Sequence, residues 1–321
     1  MGFGTQKYLG LDIGTEYLKA AELRVRGSRI QVDKVGIKTI GSRAHEGNRV
    51  NDPAELAENV GHFWQEFGFG TRRVTVAIGG PPVFYRILPL PGLPEAELRR
   101  ALQWELEDHF PFSAREAVFD LCPLELNNGL GRKQRYYLVV AVPRTFIDGY
   151  LTALNLAGLE PLAIEPEPLA LLRSWEGLVK VSLLIILKSN YITIGIAARG
   201  RLFFARSLPW GFQKIIEGML AEGVVVEKLT RECRNTLGYF QARTGNDTFT
   251  PEEIVVYNGG DGEAVKFILP GLRREFPLPV RIPPPPGGGL SWIPGIPEEK
   301  RHFLAVCIGS GLREVRKGGR Y

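Results

Sequence analysis

Near its start the chain reads LGLDIGTEYLKAAEL, Leu9 to Leu23, and these residue types suit phosphate chemistry. Asp12 and Gly14 form an Asp-x-Gly turn between two strand-like runs. In such a turn the backbone N–H groups point at phosphate oxygens, and the glycine lets that backbone come close without a side chain in the way. The Asp holds magnesium, usually through water, because magnesium takes oxygen ligands and keeps several waters. A strand-like EEIVVY running into Asn258-Gly259-Gly260 and a helix offers a flat backbone surface where a base could lie. Alone, Asp12 reads better as a turn cap. Matched context is what favours phosphate.

That context is a repeat. Lys188 stands 174 residues after Gly14, and around it SLLIILKSNYITIGI keeps the register: Ser189 answers Thr15, Tyr191 answers Tyr17, Ile192 answers Leu18. A glycine follows each at a similar distance, Gly27 and Gly200, where a second hairpin turn is expected. A repeat at half-chain scale means two related domains. The second copy is damaged, because Ile186 and Lys188 stand where an acid and a glycine are needed. Losing two or three charged backbone-to-phosphate bonds, each about 1.5–3 kcal/mol, would weaken binding roughly a thousandfold. Lys188 opposes that loss, since an ammonium attracts phosphate. It cannot replace an acid that anchors metal and water. Lys188-Ser189 therefore reads either as a remodelled phosphate site or as a plain solvated turn.

Other chemistries are poorly supplied. His45, His62, His109 and His302 have no ligand spacing. Neither a GxxxxGK[ST] loop nor a GxSxG elbow occurs. Cys122, Cys233 and Cys307 lie too far apart for zinc or redox pairing, which fits a reducing compartment. Glu165 and Glu167, interleaved with Pro166 and Pro168, read as strand-to-helix boundary residues. The 321 residues are 44% hydrophobic and 23% charged with a formal charge of +5, too weak a bias to argue for nucleic acid. The longest apolar runs are too short to span a bilayer, and no charged-then-apolar leader opens the chain, so a cytoplasmic protein is expected.

The elements needed to position these residues are legible. Asp52-Pro53 caps a helix through Phe67, RRVTVAIGG is a strand, and PEAELRRALQWELEDHFPF is a helix opened by Pro94 and stopped by Pro111. RYYLVVAVP is a strand before a helix to about Ala157, and PLAIEPEPLALLRSW is a strand and a helix. The second half adds a long helical region from about Phe212 to Arg243 and a helix to Phe276. RIPPPPGGGLSWIPGIPEEK reads as a solvent-facing loop, HFLAVCIGSGLREV as a closing helix, and RKGGRY as a frayed basic tail.

Six blocks in order, GLDIGTEYLKAAEL, VTVAIGGPPVFYRILPLPGL, LNLAGLEPLAIEPEPLALLRS, GRLFFARSLPWG, VVYNGGDGEAVKFILPGL and AVCIGSGL, resemble the type IV pilus assembly protein PilM family. The resemblance runs from about Tyr8 to Arg313. It implies an α/β, actin-like (ribonuclease H-like) duplicated two-lobe fold related to the division protein FtsA. By that reading residues 1–82 with 162–177 form the first lobe and 83–161 an inserted subdomain. Residues 178–212 with 251–321 form the second lobe, which carries a helical insert over 213–250. It also implies ATP and magnesium in the cleft, on Asp12, Gly14, Thr15, Glu16, Lys19, Lys188, Ser189, Gly259 and Gly260, with Glu165 a further cleft candidate. The family pattern has Asp-Ile-Gly where this chain has Ile186-Leu187-Lys188, so nucleotide binding is expected to be weak or lost, without turnover.

The implied partner is the short cytoplasmic N-terminus of a PilN-like inner-membrane protein. Phe84, Tyr85, Ile87, Leu88 and Leu90 form the expected apolar groove for it near a chain edge, the alternative being that they only pack the helix beginning at Pro94. The FtsA-type amphipathic membrane helix has no counterpart in Arg313–Tyr321, so membrane contact should be indirect, at the inner face of the membrane. The expected role is a scaffold, the rivals being a working actin-like ATPase and a self-associating, filament-forming protein.

Overall fold

The computed structural model describes residues 5–41, 44–46, 49–126, 134–175, 178–213, 221–245, 249–260, 263–287 and 289–317. In the first half, β1 (Gln6–Ile13), β2 (Tyr17–Arg26) and β3 (Arg29–Thr39) form a meander. A small β4 (His45–Glu46) and β5 (Arg49–Val50) ladder precedes α1 (Pro53–Phe67). Asp52 caps α1 by accepting from the N–H groups of Ala54 and Glu55. β6 (Arg73–Ile78) then runs parallel to β1.

An excursion follows, of β7 (Phe84–Pro91), α2 (Glu95–His109), β8 (Ala117–Pro123) and β9 (Gln134–Pro143). These strands make their own sheet in the order β7-β9-β8, and α2 packs on it through Leu98, Leu102 and Leu106. The chain returns by α3 (Arg144–Leu156), β10 (Glu160–Pro166), parallel to β6, and α4 (Glu167–Ser174).

The second half repeats the plan. β11 (Ser182–Leu187), β12 (Ile192–Ala198) and β13 (Arg201–Leu208) form a meander, and α5 (Glu222–Thr244) follows. Residues 214–220 of the long helical region, and the basic tail over 318–321, lie outside the described residues. β14 (Glu253–Asn258), α6 (Glu263–Glu275) and β15 (Val280–Arg281) complete the second sheet. Its order, β13-β12-β11-β14-β15, matches β3-β2-β1-β6-β10 strand for strand. The duplication expected from the 174-residue spacing is thus built as two sheets with one topology. Every residue of β11 is buried, as a central strand covered on both faces requires.

The Pro/Gly-rich segment departs from expectation. Pro283 and Pro286 are buried, and β16 (Leu290–Trp292) adds to the outer edge of β3 as a sixth, parallel strand of the first sheet. The Trp292 indole donates to the Pro286 carbonyl at 3.1 Å, and the Arg301 guanidinium lies over its ring. An unpaired β3 edge has backbone groups to satisfy. The segment satisfies them and ties the second half of the chain to the first sheet.

The closing helix is also broken, at Leu304, into α7 (Glu298–Phe303) and α8 (Ala305–Lys317). α8 crosses β1 and α4 at the distance of bare backbone. A Cβ on Gly10 would lie 1.7 Å from the Cys307 carbonyl oxygen, and one on Gly309 1.7 Å from that of Ala170. The glycine-rich AVCIGSGL block is therefore a packing device. Gly10→Val and Gly309→Val should each cost more than about 3 kcal/mol in urea unfolding, whereas Gly223→Ala, in open space on α5, should be neutral or slightly stabilising.

Candidate nucleotide cleft and the adjoining groove

The turns after β1 and β11 face each other between the two sheets. They close identically: the Gly14 N–H donates to the Tyr17 carbonyl at 3.0 Å, and the Lys188 N–H to the Tyr191 carbonyl at 3.0 Å. Lys188 therefore occupies the place of Gly14, as the register predicted. Its side chain is neither solvated nor free for a ligand. It is 7% exposed, with Nζ 2.5 Å from Glu167 Oε1 and 3.5 Å from Asp12 Oδ2. Lys19 Nζ reaches the same Asp12 oxygen at 2.8 Å and also lies over the Phe303 ring. The Ser189 hydroxyl donates to Glu16, and the Tyr191 hydroxyl to Glu167 Oε2 at 2.9 Å.

Two carboxylates and two ammoniums thus neutralise one another out of water. Burial alone would raise the Asp12 carboxyl, but Lys188 and Lys19 outweigh it and hold the group below the usual carboxylate range. Burial would likewise strip the proton from Lys188, and Asp12 with Glu167 reverse that, so its ammonium is held above the ordinary lysine value. Lys19 is shifted down, chiefly by burial.

These residues do not fit a magnesium–triphosphate group. Asp12 is 3% exposed and spends its charge on lysines instead of a hydrated cation. The Gly259-Gly260 surface is covered as well. A Cβ on Gly259 would lie 2.7 Å from Lys188 Cδ, and one on Gly260 2.1 Å from the Phe212 ring. The candidate phosphate and base positions come together in space as expected, and the chain's own side chains fill them. Gly14 and Thr15 stay at the turn, only partly buried.

Glu165, expected as a cleft residue, lies outside the cleft. Were β10 to continue, Glu165 and Glu167 would share a face. The strand ends at Pro166 and α4 starts at Glu167, so the two carboxylates diverge. Glu167 enters the cleft. Glu165 takes a two-oxygen ion pair with Arg173, both bonds 2.8 Å, and faces a different hollow.

That hollow is an open groove of about 2000 Å³. One wall is β8 with the chain up to Leu126, and the floor holds Ile164 and Leu169. The far wall is the Arg199–Phe203 hairpin of the second sheet. β8 is an edge strand, paired on one side by β9. Arg199 closes that hairpin at φ 52 beside Gly200 at φ 70, both left-handed as a two-residue turn of this hand requires. The expected partner groove along Phe84–Leu90 is not where the hollow lies. β7 sits between two cores, and its alternation sends Tyr85 and Ile87 into the main core and Leu88 and Leu90 against α2, with Phe84 half-buried against Phe112. They pack the fold.

Matches with known proteins give the family and the fold. The family model for the type IV pilus assembly protein PilM matches residues 10–215. The chain belongs to the PilM family. Among solved structures, a PilM-PilN type IV pilus biogenesis complex matches with a TM-score of 0.80 at 22% identity, over 96% of this chain and 98% of that one. The ethanolamine utilization protein EutJ from Carboxydothermus hydrogenoformans matches with a TM-score of 0.50 at 13% identity, over 96% and 89%. Comparison with curated proteins gives no match. The fold is the actin-like one. In the cleft, sequence reasoning took Glu167 for a strand-to-helix boundary residue and did not weigh Tyr191 or Phe212 as site residues. The helix start at Glu167 was the available signal for the first. Nothing in the sequence marked Phe212.

Removing the Lys188 charge alone leaves Asp12 and Glu167 underpaired, so Lys188→Met should cost about 3–5 kcal/mol, and adding Glu167→Gln should restore part of it. A carboxyl whose folded-state pKa is depressed contributes stability that is present above its unfolded value near 3.8 and lost as the pH falls through the lower folded value. Urea unfolding should therefore show the difference between the unaltered protein and Lys188→Met narrowing as the pH falls below 3.8.

Proposed function

We propose that this chain is a cytoplasmic scaffold of type IV pilus assembly that makes no use of nucleotide and grips the cytoplasmic N-terminus of a PilN-like inner-membrane protein. The observation that carries the first half is the Asp12–Lys188–Glu167 bridge. In the actin-like plan nucleotide and metal hold the two turns together; here an ammonium tethered to one of them does so. An ATP molecule would have to expel Lys188 and Phe212 and break buried ion pairs, each several kcal/mol to disrupt. The rival, a working ATPase, requires an acid on the second turn, and Ile186 stands there, fully buried.

The groove supports the second half. Its β8 wall offers edge backbone groups to an extended segment, with apolar positions such as Val118, Leu121 and Leu202 for alternate side chains. It is separate from the cleft, so a peptide bound there needs no nucleotide. The PilM structure matched above is a complex with PilN. Contact with the membrane then runs through the partner, and no helix among the described residues is long and apolar enough to cross a bilayer.

Calorimetry tests both halves. A synthetic peptide of the partner's first ten or so residues should bind with the same affinity with and without Mg-ATP. Leu121→Pro on β8 should weaken it by about tenfold or more, because proline removes the N–H from which Asp120 Oδ1 now accepts at 2.9 Å and disturbs the edge. Mg-ATP alone should give no heat of binding at micromolar levels. Sub-micromolar ATP affinity with steady phosphate release would sink the scaffold reading in favour of the ATPase.

A further inference from the structure

The face of α2 that looks away from its sheet carries Trp104, 89% exposed and far more so than any other large apolar side chain among the described residues. Leu98, Leu102 and Leu106 hold the opposite face down. At helical spacing Trp104 is ringed by Glu97, Arg100, Ala101, Glu107 and Asp108, with Glu105 beside it. That surface has four carboxylates to one guanidinium on a chain whose total charge is +5. The ion pairs that α2 makes, Arg99 with Glu95 and with Asp120, lie toward the sheet and leave those four unpaired among the described residues. A lone indole in an acidic field fits a cationic, partly apolar partner, since tryptophan is the strongest cation–π acceptor and a frequent interface anchor.

The face also adjoins the groove. Arg99 of α2 lines the groove and is paired with Asp120 of its β8 wall. A helix is about 10–12 Å across, so an extended chain leaving the groove reaches the Trp104 face in roughly five or six residues. The cytoplasmic flanks of membrane proteins carry an excess of Lys and Arg close to the membrane. We propose that the Trp104 face of α2 is a second contact for the same membrane partner, taking the Lys/Arg-rich stretch between its groove-bound head and its transmembrane helix. This inference rests on the groove reading given above. The head supplies an apolar extended segment, the following stretch lays basic side chains over Trp104 and the carboxylates around it, and the two contacts act as linked sites on one chain.

Two synthetic peptides of the PilN-like partner test it: the first ten or so residues, and the whole cytoplasmic stretch up to the membrane helix. The longer peptide should bind at least about tenfold more tightly, with the gain falling as salt rises. Trp104→Ala, and separately Glu107→Lys with Asp108→Lys, should remove the gain and leave the short peptide's affinity unchanged. Replacing the Lys and Arg of the added stretch by Gln should do the same. Because these side chains are exposed, the variants should unfold at the same urea concentration as the parent. Equal affinities for the two peptides, or a gain indifferent to Trp104, would overturn the inference while leaving the groove in place. If neither peptide binds, the groove reading fails and this one with it. Self-association that Trp104→Ala abolishes, with both peptides binding alike, would assign the face to a second copy of the chain instead.

Discussion

The pairing of Lys188 with Asp12 and Glu167 is the constraint on which the arrangement of the two sheets depends. Charges this deep are expensive, several kcal/mol each to take out of water, and their mutual attraction repays the cost only when nearly every partner is in place. Here Lys19 adds a contact to Asp12 and Tyr191 one to Glu167. Buried ion pairs seldom add net stability over an apolar packing of equal volume. What this one adds is position. Asp12 belongs to the first sheet, Lys188 to the second, and Glu167 to the helix leading from one to the other, so a single ammonium fixes the spacing of all three. That spacing is written into the chain.

The rest of the molecule is consistent with lobes that stay put. β16 lays part of the second half along the edge of the first sheet. α8 presses on β1 and α4 so closely that Gly10 and Gly309 admit no side chain. The Tyr257 hydroxyl donates to the Phe303 carbonyl at 3.2 Å, joining β14 to the end of α7, while the Phe303 ring packs on Tyr17. Each of these joins is made of buried apolar surface or satisfied backbone. None needs a ligand to complete it.

How far the sequence disclosed this depends on what kind of force placed each residue. The duplication was legible because strand period and turn closure are local, so Gly14 and Lys188 align by counting alone. That Ile186 and Lys188 stand opposite Asp12 and Gly14 was legible for the same reason. The fate of the Lys188 side chain was not, because a lysine on a turn has the same local pattern whether it points to water or to a carboxylate from 21 residues upstream. Glu167 was passed over in favour of Glu165 since one residue of helix start rotates a side chain to another face. β16 was hidden in a proline-rich run whose composition argues for loop; three residues of strand carry no periodicity, and only the vacant edge of β3 gives them a place. Strand β7 misled in the opposite sense. Its apolar residues looked available because an edge was in view, yet both of its faces are covered.

The cleft and the groove are connected through these same walls. The groove is bounded on one side by β8, in the subdomain carried by the first lobe, and on the other by the Arg199–Phe203 hairpin of the second sheet. Arg201 and Glu125 already pair across it at 2.8 Å. Its width is therefore set by how the lobes stand to one another, which the Lys188 bridge decides at the centre of the molecule. A cleft that opened and closed with nucleotide would widen and narrow the groove in step, coupling partner affinity to ATP. A cleft filled by its own lysine holds the groove at one width. Walls held at one spacing make a preformed groove, and a preformed groove is the arrangement that costs an entering segment the least conformational freedom.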